Sequence, residues 1–203
     1  VTITGDVVLA GADAGNYTLA SLPGSLVANI TAATLTVSGI TAGDKVYDGT
    51  TDATIDTTSA ALVGVIAGDV ATLDDAGAAG AFADKNVGVD KAVTISGLTL
   101  SGDDAANYEI AVDSVLASIS VRELTLDGVL VESKPYDGTT DATLDFAAST
   151  LDDTVAGDDV SVDEEAVTAA FDDPNVGTAK PVTVGNLTLT GADAGNYSVV
   201  LAA

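Results

Sequence analysis

The chain has 203 residues, of which 31 are acidic and 6 are basic, so its formal net charge at pH 7 is -25. This charge excludes DNA, RNA and anionic membrane surfaces as expected partners, because all three bind a positively charged face. The sequence contains no cysteine and no histidine, which excludes disulfides, thiol and imidazole catalysis and structural zinc.

The chain opens with the last part of a repeat, which we predict over residues 1–33. Its landmark is GADAGNY at Gly11–Tyr17, which returns as GDDAANY at Gly102–Tyr108 and as GADAGNY at Gly191–Tyr197. A landmark that returns at a nearly fixed period indicates tandem units of one fold. Three copies predict an array that extends beyond two units.

A complete unit is predicted over residues 34–122. Its stretch KVYDGTTDAT at Lys45–Thr54 returns as KPYDGTTDAT at Lys134–Thr143, 89 positions later. Its stretch AFADKNVG at Ala81–Gly88 returns with the same offset of 89, as AFDDPNVG. The register of the repeat therefore holds across about forty residues, from Lys45 to Gly88.

The second unit, predicted over residues 123–203, lacks its last strand. The missing part is the counterpart of Ala111–Val121, whereas the opening segment carries such a counterpart around Ala20–Ala32. Two explanations stay open: the chain is an excerpt from a longer array, or neighbouring molecules share a strand. The connection at Ser120–Leu124 contains no Gly/Ser-rich or Pro-rich linker, which predicts a semi-rigid rod.

The alternation of apolar and polar residues predicts strands through most of each unit. Residues 92–96 and 98–101 alternate with period two, and Asp-Gly, Gly-Asp and Asn-Val-Gly clusters between such runs indicate turns. We predict seven or eight short strands per unit and an all-β fold. The favoured architecture is a rod of tandem immunoglobulin-like β-sandwich modules, with β-grasp-like modules as the alternative.

Seven of the eight aromatic residues recur in phase and are predicted to anchor the core, with each tyrosine donating its hydroxyl to the backbone. An exposed aromatic platform for sugars is the competing interpretation, but it would need clustered rings that the core does not use. The predicted core anchors are Tyr17, Tyr47, Phe82, Tyr108, Tyr136, Phe171 and Tyr197.

No catalytic constellation stands out, so we predict that the chain is not an enzyme. Paired carboxylates would need a cleft and one raised pKa, and nothing in the pattern singles out such a pair. No Gly-rich phosphate loop occurs, and no catalytic or cofactor-binding residue is predicted.

Calcium is the one cofactor hypothesis, because it binds carboxylate and carbonyl oxygens gathered in turns. The alternative is plain surface charge that keeps long fibres soluble and apart. No cofactor is required under either interpretation. The candidate ligands are Asp69, Asp84, Asp104, Asp158, Asp159, Asp173 and Asp193, with Asp13 and Asp172 in related positions.

The elements K-x-YDGTTDAT, AF-x-D-x-NVG and GADAGNY, in this order, resemble the YDG-type repeats of large bacterial exoproteins. Such repeats occur in haemagglutinin-like adhesins, including those exported by two-partner secretion. The resemblance covers essentially the whole chain. It implies a structural stalk that projects a distal binding region from the bacterial cell surface or within a biofilm matrix, with neighbouring repeats of the same chain as partners. The alternative is that the repeats themselves bind exopolysaccharide or self-associate into filaments by strand exchange.

Overall fold

The computed structural model describes residues 8–19 and 27–202 of the chain. These residues confirm the predicted all-β class. The helices among them are three single 3-10 turns, and none of these is long and apolar enough to cross a membrane. The turns recur at the three landmark sequences, at Ala14–Asn16, Ala105–Asn107 and Ala194–Asn196.

We refer to residues 33–120 as the first unit. Its strands are β1 Ala33–Ser38, β2 Thr41–Ala42, β3 Lys45–Val46, β4 Asp52–Ala53, β5 Ile55–Asp56, β6 Ala61–Val63, β7 Thr72–Asp74, β8 Ala79–Phe82, β9 Gly88–Ser96, β10 Thr99–Ser101, β11 Tyr108–Val112 and β12 Val115–Ser120.

We refer to residues 122–202 as the second unit. Its strands are β13 Arg122–Asp127, β14 Leu130–Val131, β15 Leu144–Asp145, β16 Thr150–Asp152, β17 Ser161–Val162, β18 Thr168–Phe171, β19 Val182–Gly185, β20 Leu189–Thr190 and β21 Tyr197–Leu201.

The strands are shorter and more numerous than the seven or eight per unit that the alternation predicts, with twelve and nine in the described parts of the two units. Glycines with positive φ interrupt the runs. Gly39 (φ +83°) lies between β1 and β2, and Gly97 (φ +77°) lies between β9 and β10. A Cβ at either position would collide with a carbonyl oxygen of a neighbouring turn, so only glycine fits there.

The main sheet of the first unit has the strand order β3-β12-β9-β8-β4. Its strand β12 runs parallel to β3 and antiparallel to β9. A second sheet has the order β11-β1-β6, in which β1 and β11 are parallel. The second unit repeats this parallel pairing as β13 with β21, in the sheet β16-β13-β21.

The hydrophobic core continues from one unit into the other. The fully buried Tyr47 and Ile119 of the first unit belong to the same cluster as Leu124 and Tyr197 of the second unit. Burial of a large apolar side chain stabilises a fold by about 1.5–3 kcal/mol. Since β12 ends at Ser120 and β13 begins at Arg122, the two units are joined by one residue and by shared packing.

The predicted aromatic anchors divide into three groups. Tyr47, Phe82, Tyr108 and Tyr197 are buried, and Phe171 is half-buried. Tyr17 and Tyr136 are 69% and 68% exposed, so the prediction that they lie in the core is wrong for the described chain. Both rings are exposed for the same physical reason. The equivalent tyrosines in the other copies are covered by neighbouring groups, and no described residue takes the place of those groups around Tyr17 or Tyr136.

Candidate functional site at the joint between the two units

The contact between the units centres on the carboxylate of Asp158, which lies in the turn between β16 and β17. Its Oδ2 accepts hydrogen bonds from the hydroxyls of Tyr47 (2.6 Å) and Tyr197 (2.7 Å). Its Oδ1 lies 2.9 Å from Nζ of Lys85, in the turn between β8 and β9. The Asp158 side chain is only 5% exposed. One acid of the second unit therefore binds two groups of the first unit, and we call this contact the joint.

The rings of Tyr47 and Tyr197 meet edge to face across the joint, with their centroids 5.3 Å apart and their planes at 78°. Such a pair contributes about 0.5–1.5 kcal/mol beyond its buried area. Tyr47 is held in place because its N–H donates to the carbonyl oxygen of Ser120 (2.9 Å), at the end of β12. The Nζ of Lys85 lies 5.8 Å above the centre of the Tyr47 ring. The joint thus combines aromatic packing with an ion pair.

A buried amide completes the joint. The side chain of Asn196 is in the landmark GADAGNY, and the residue is 5% exposed. Its Oδ1 accepts the N–H of Val87 (2.9 Å), and its Nδ2 donates to Oδ1 of Asn86 (3.3 Å). A buried amide that lost these partners would cost free energy, so Asn196 fixes the position of the loop that follows β8.

Part of this arrangement belongs to each unit by itself. In the first unit Tyr108 donates to Oδ2 of Asp69 (2.6 Å) and accepts the N–H of Ile66 (3.1 Å). In the second unit Tyr197 makes the equivalent bonds to Asp158 and to the N–H of Val155 (3.1 Å). The tyrosine hydroxyls therefore accept from the backbone and donate to an aspartate, instead of donating to the backbone as predicted.

The charges at the joint shift the pKa values of its groups in a consistent way. Burial opposes ionisation of Asp158, but the hydrogen bonds from Tyr47, Tyr197 and Lys85 outweigh it and hold the pKa of the carboxyl below its usual value. Burial, and then the bond to Asp158, raises the pKa of Tyr197 to about 12. The bond to Asp158 also raises the pKa of Lys85. The joint is therefore most stable with an ionised acid, a charged lysine and neutral tyrosines.

This pattern predicts that alkali weakens the joint. A folded pKa above the unfolded value gives stability that is present below the unfolded pKa and is lost as pH rises through the folded one. For Tyr197 the window runs from 10.0 to about 12. We expect the melting temperature to fall through this range, and ultraviolet absorbance should show late ionisation of tyrosines, because the pKa values of Tyr47, Tyr108 and Tyr197 are all raised. In Asp158→Asn the ionisation of Tyr47 and Tyr197 should move towards pH 10, whereas that of Tyr108, which binds Asp69, should not change; an unchanged titration of all three would contradict the assignment.

The other predicted metal ligands, apart from Asp13, lie in several turns, where each accepts from a donor of its own. Asp84 and Asp173 pair with Lys91 (2.6 Å) and Lys180 (2.7 Å).

Three further candidates accept backbone N–H groups. Asp104 binds that of Val70, Asp193 that of Asp159, and Asp159 that of Ala192. Within residues 8–19 and 27–202, no group of three or more acidic side chains is placed to hold a metal ion.

The joint also contains groups that the sequence reasoning did not select. Asn107 and Asn196 stand at the same place in two copies of the landmark. This repetition is compatible with an amide side chain that has a structural role, so the sequence did contain a signal for Asn196. Lys85 had no such signal, since Pro174 stands at its place in the second copy. Among the described residues, Lys85 bridges Asp158 and Asp193, whose Oδ1 lies 3.2 Å from the lysine Nζ, and this bridge requires the folded joint.

Comparison with known proteins adds one finding. The family model described as YDG domain matches residues 31–115 and again residues 120–203. The first match ends where β12 begins, and the second runs to the last residue of the chain. No curated protein and no solved structure matches the chain.

Proposed function

Because this chain belongs to the YDG domain family and carries two of its modules in tandem, we propose that it is a structural spacer of an extracellular bacterial adhesin or biofilm-matrix fibre. In this role each module adds a fixed length between an anchor and a distal binding region. The proposed role requires no catalytic step and no cofactor.

The observation that carries the proposal is the joint. A spacer that keeps a fixed distance between its ends must resist bending, and modules joined by a flexible linker do not resist bending. Here one residue separates β12 from β13, and Asp158 binds two side chains of the other module. Contacts between domains that include a shared apolar cluster favour a fixed relative orientation.

The distribution of charge supports the same role. A net charge of -25 makes neighbouring fibres repel one another and keeps them soluble at the high local density of a surface layer. Each of the six basic residues forms an ion pair with an acidic side chain within the described residues. These basic residues are Lys45, Lys85, Lys91, Arg122, Lys134 and Lys180. The remaining acids supply the repulsion.

A distance between spin labels tests this spacer directly. The chain has no cysteine, so Ala76→Cys and Glu165→Cys place one label on each module, at exposed turn positions that are equivalent in the repeat. We expect one narrow distance, because the joint holds a single orientation. Its width should grow in Asp158→Ala. A broad distribution in the unmodified joint, as for modules on a flexible linker, would contradict the spacer role.

A further inference from the structure

Three aspartates of the chain are followed directly by glycine, namely Asp48, Asp127 and Asp137. All three are exposed, so water reaches each of them. In such a pair the amide nitrogen of the glycine can attack the side-chain carboxyl carbon, with loss of water, because glycine has no Cβ to keep the two groups apart. The three pairs are alike in sequence and in exposure, and their contacts distinguish them.

The carboxylate of Asp48 is bonded beyond the glycine that follows it. Its Oδ1 accepts both the N–H and the hydroxyl of Thr50 (2.9 Å each) and the ammonium group of Lys45 (2.7 Å). These three donors hold the carboxylate in its ionised form and fix its position. Ring closure expels a carboxyl oxygen as water, which an ionised and bonded carboxylate resists.

Asp137 has the same contacts in the second copy of the motif. Its Oδ1 accepts the N–H (2.9 Å) and the hydroxyl (3.0 Å) of Thr139, and it lies 3.0 Å from Nζ of Lys134. The N–H of Thr139, and then Lys134, lowers the pKa of this carboxyl from its ordinary value of 3.8 to about 2. At neutral pH its protonated form is therefore rarer than that of an ordinary aspartate by a factor of about 60.

Asp127, at the end of β13, is placed differently. Its Oδ1 accepts the N–H of Gly128, the next residue, at 2.8 Å. The attacking nitrogen thus lies against an oxygen of the carboxyl group whose carbon it would attack, and such positioning favours reaction. Among the described residues, Asp172 makes the same bond to the N–H of Asp173 (3.0 Å). There the following residue carries a side chain, and the carboxylate pairs with Lys180 (3.2 Å).

The turn at Gly128 exists in both units, but the carboxylate exists in one. Gly128 has a φ of +75°, and its counterpart Gly39 has a φ of +83°. The residue before Gly39 is Ser38, which has no carboxyl carbon to attack. The shape of the turn therefore does not depend on Asp127, and the reactive pair is a feature of the second unit.

We propose that Asp127 and Gly128 form a site of spontaneous backbone modification, at which the aspartate converts to isoaspartate through a cyclic imide. The nitrogen of Gly128 bonds to Cγ of Asp127, and the N–H proton leaves with the carboxyl hydroxyl as water. A second water then opens the ring. Opening at Cγ restores aspartate, and opening at the backbone carbonyl leaves Gly128 attached through Cγ, which is isoaspartate.

The modification changes the backbone and needs no co-reactant other than water. It adds one carbon atom to the main chain between β13 and β14, directly after the position at which Asp127 pairs with Thr150. The second unit thus acquires a mark of its age at this turn, and the equivalent turn of the first unit does not. This inference does not rest on the proposed function, since the chemistry is the same for any role of the chain.

Peptide mapping of the whole chain during storage at neutral pH tests the proposal. A protease that cleaves before aspartate but not before isoaspartate reports each site separately. We expect the cut before residue 127 to be lost at least about tenfold faster than the cuts before residues 48 and 137, because only Asp127 is positioned for attack. Equal rates at the three sites, or no loss at residue 127, would overturn the proposal.

Storage in concentrated urea separates the effect of the fold from that of the sequence. All three sites are Asp-Gly pairs, so their rates should converge once the chain is unfolded. A rate at residue 127 that stayed tenfold ahead in urea would show that the folded contacts are not the cause, and it would overturn the proposal.

Three variants, each checked for folding by circular dichroism, complete the test. Asp127→Ser, which introduces the residue of the first unit, abolishes the modification. Asp127→Asn forms the same ring faster and releases ammonia, because an amide does not need to be protonated as a carboxylate does. Lys134→Met frees the carboxylate of Asp137, so the rate at residue 137 rises severalfold while that at residue 127 is unchanged. An unchanged rate at residue 137 would refute the protection by contacts on which the proposal depends.

Discussion

Replacement of Tyr47 by alanine is expected to lower the free energy of unfolding by about 3–5 kcal/mol, the range for truncation of a large buried aromatic residue. Tyr47 is 0% exposed, packs against Tyr197 and donates to Asp158. The variant loses all three contributions and leaves a cavity at the joint. Denaturation in urea, followed by circular dichroism, measures the change.

Tyr136→Ala is the matched control for this prediction. Tyr136 lies in nearly the same ten residues as Tyr47, but it is 68% exposed. For the monomer we expect a change of no more than about 0.5 kcal/mol, as for surface substitutions in general. Similar losses of unfolding free energy in the two variants would show that the motif stabilises each unit locally. The contacts of Tyr47 at the joint would then not be the source of its contribution.

Asp158→Ala is expected to lower the free energy of unfolding by about 2–3 kcal/mol. The reason is that the variant leaves two buried hydroxyls, those of Tyr47 and Tyr197, without their acceptor. Lys85 adds little to this loss, because its side chain is 36% exposed and its ammonium group reaches water. Urea denaturation and the label distance between the modules report stability and orientation separately.

Asp69→Ala is the control for the acid. Asp69 has the same place in the repeat and accepts one tyrosine hydroxyl, that of Tyr108, but it binds no group of the second unit in the described structure. We expect a smaller loss of stability and an unchanged label distance. Asp158→Asn separates charge from hydrogen bonding, since the amide keeps one acceptor. If Asp69→Ala broadened the label distance as much as Asp158→Ala, the special role of the joint would be refuted.

Local patterns in the sequence account for much of the fold. The period-two alternation at residues 92–96 predicts a strand that the structure shows as part of β9, because alternation is a direct consequence of strand geometry. The offset of 89 residues predicts equivalent positions, and the bonds of Asp69 with Tyr108 and of Asp158 with Tyr197 follow it. The number of strands was less predictable, because turns at glycines such as Gly39 divide stretches of sequence that the alternation predicts as single strands.

The sequence by itself determined the all-β class, the period of the repeat and the family. The tertiary structure alone decided which copy of each repeated residue is used at the joint. Tyr47 and Tyr136 have almost identical neighbours in sequence, yet one is buried by β12 and the following module and the other lies at an open groove. Burial and pKa depend on groups that are distant in the chain, and Asp158 meets Tyr47 across 111 positions. No local pattern contains that information, because the two copies differ in their surroundings and hardly in their residues.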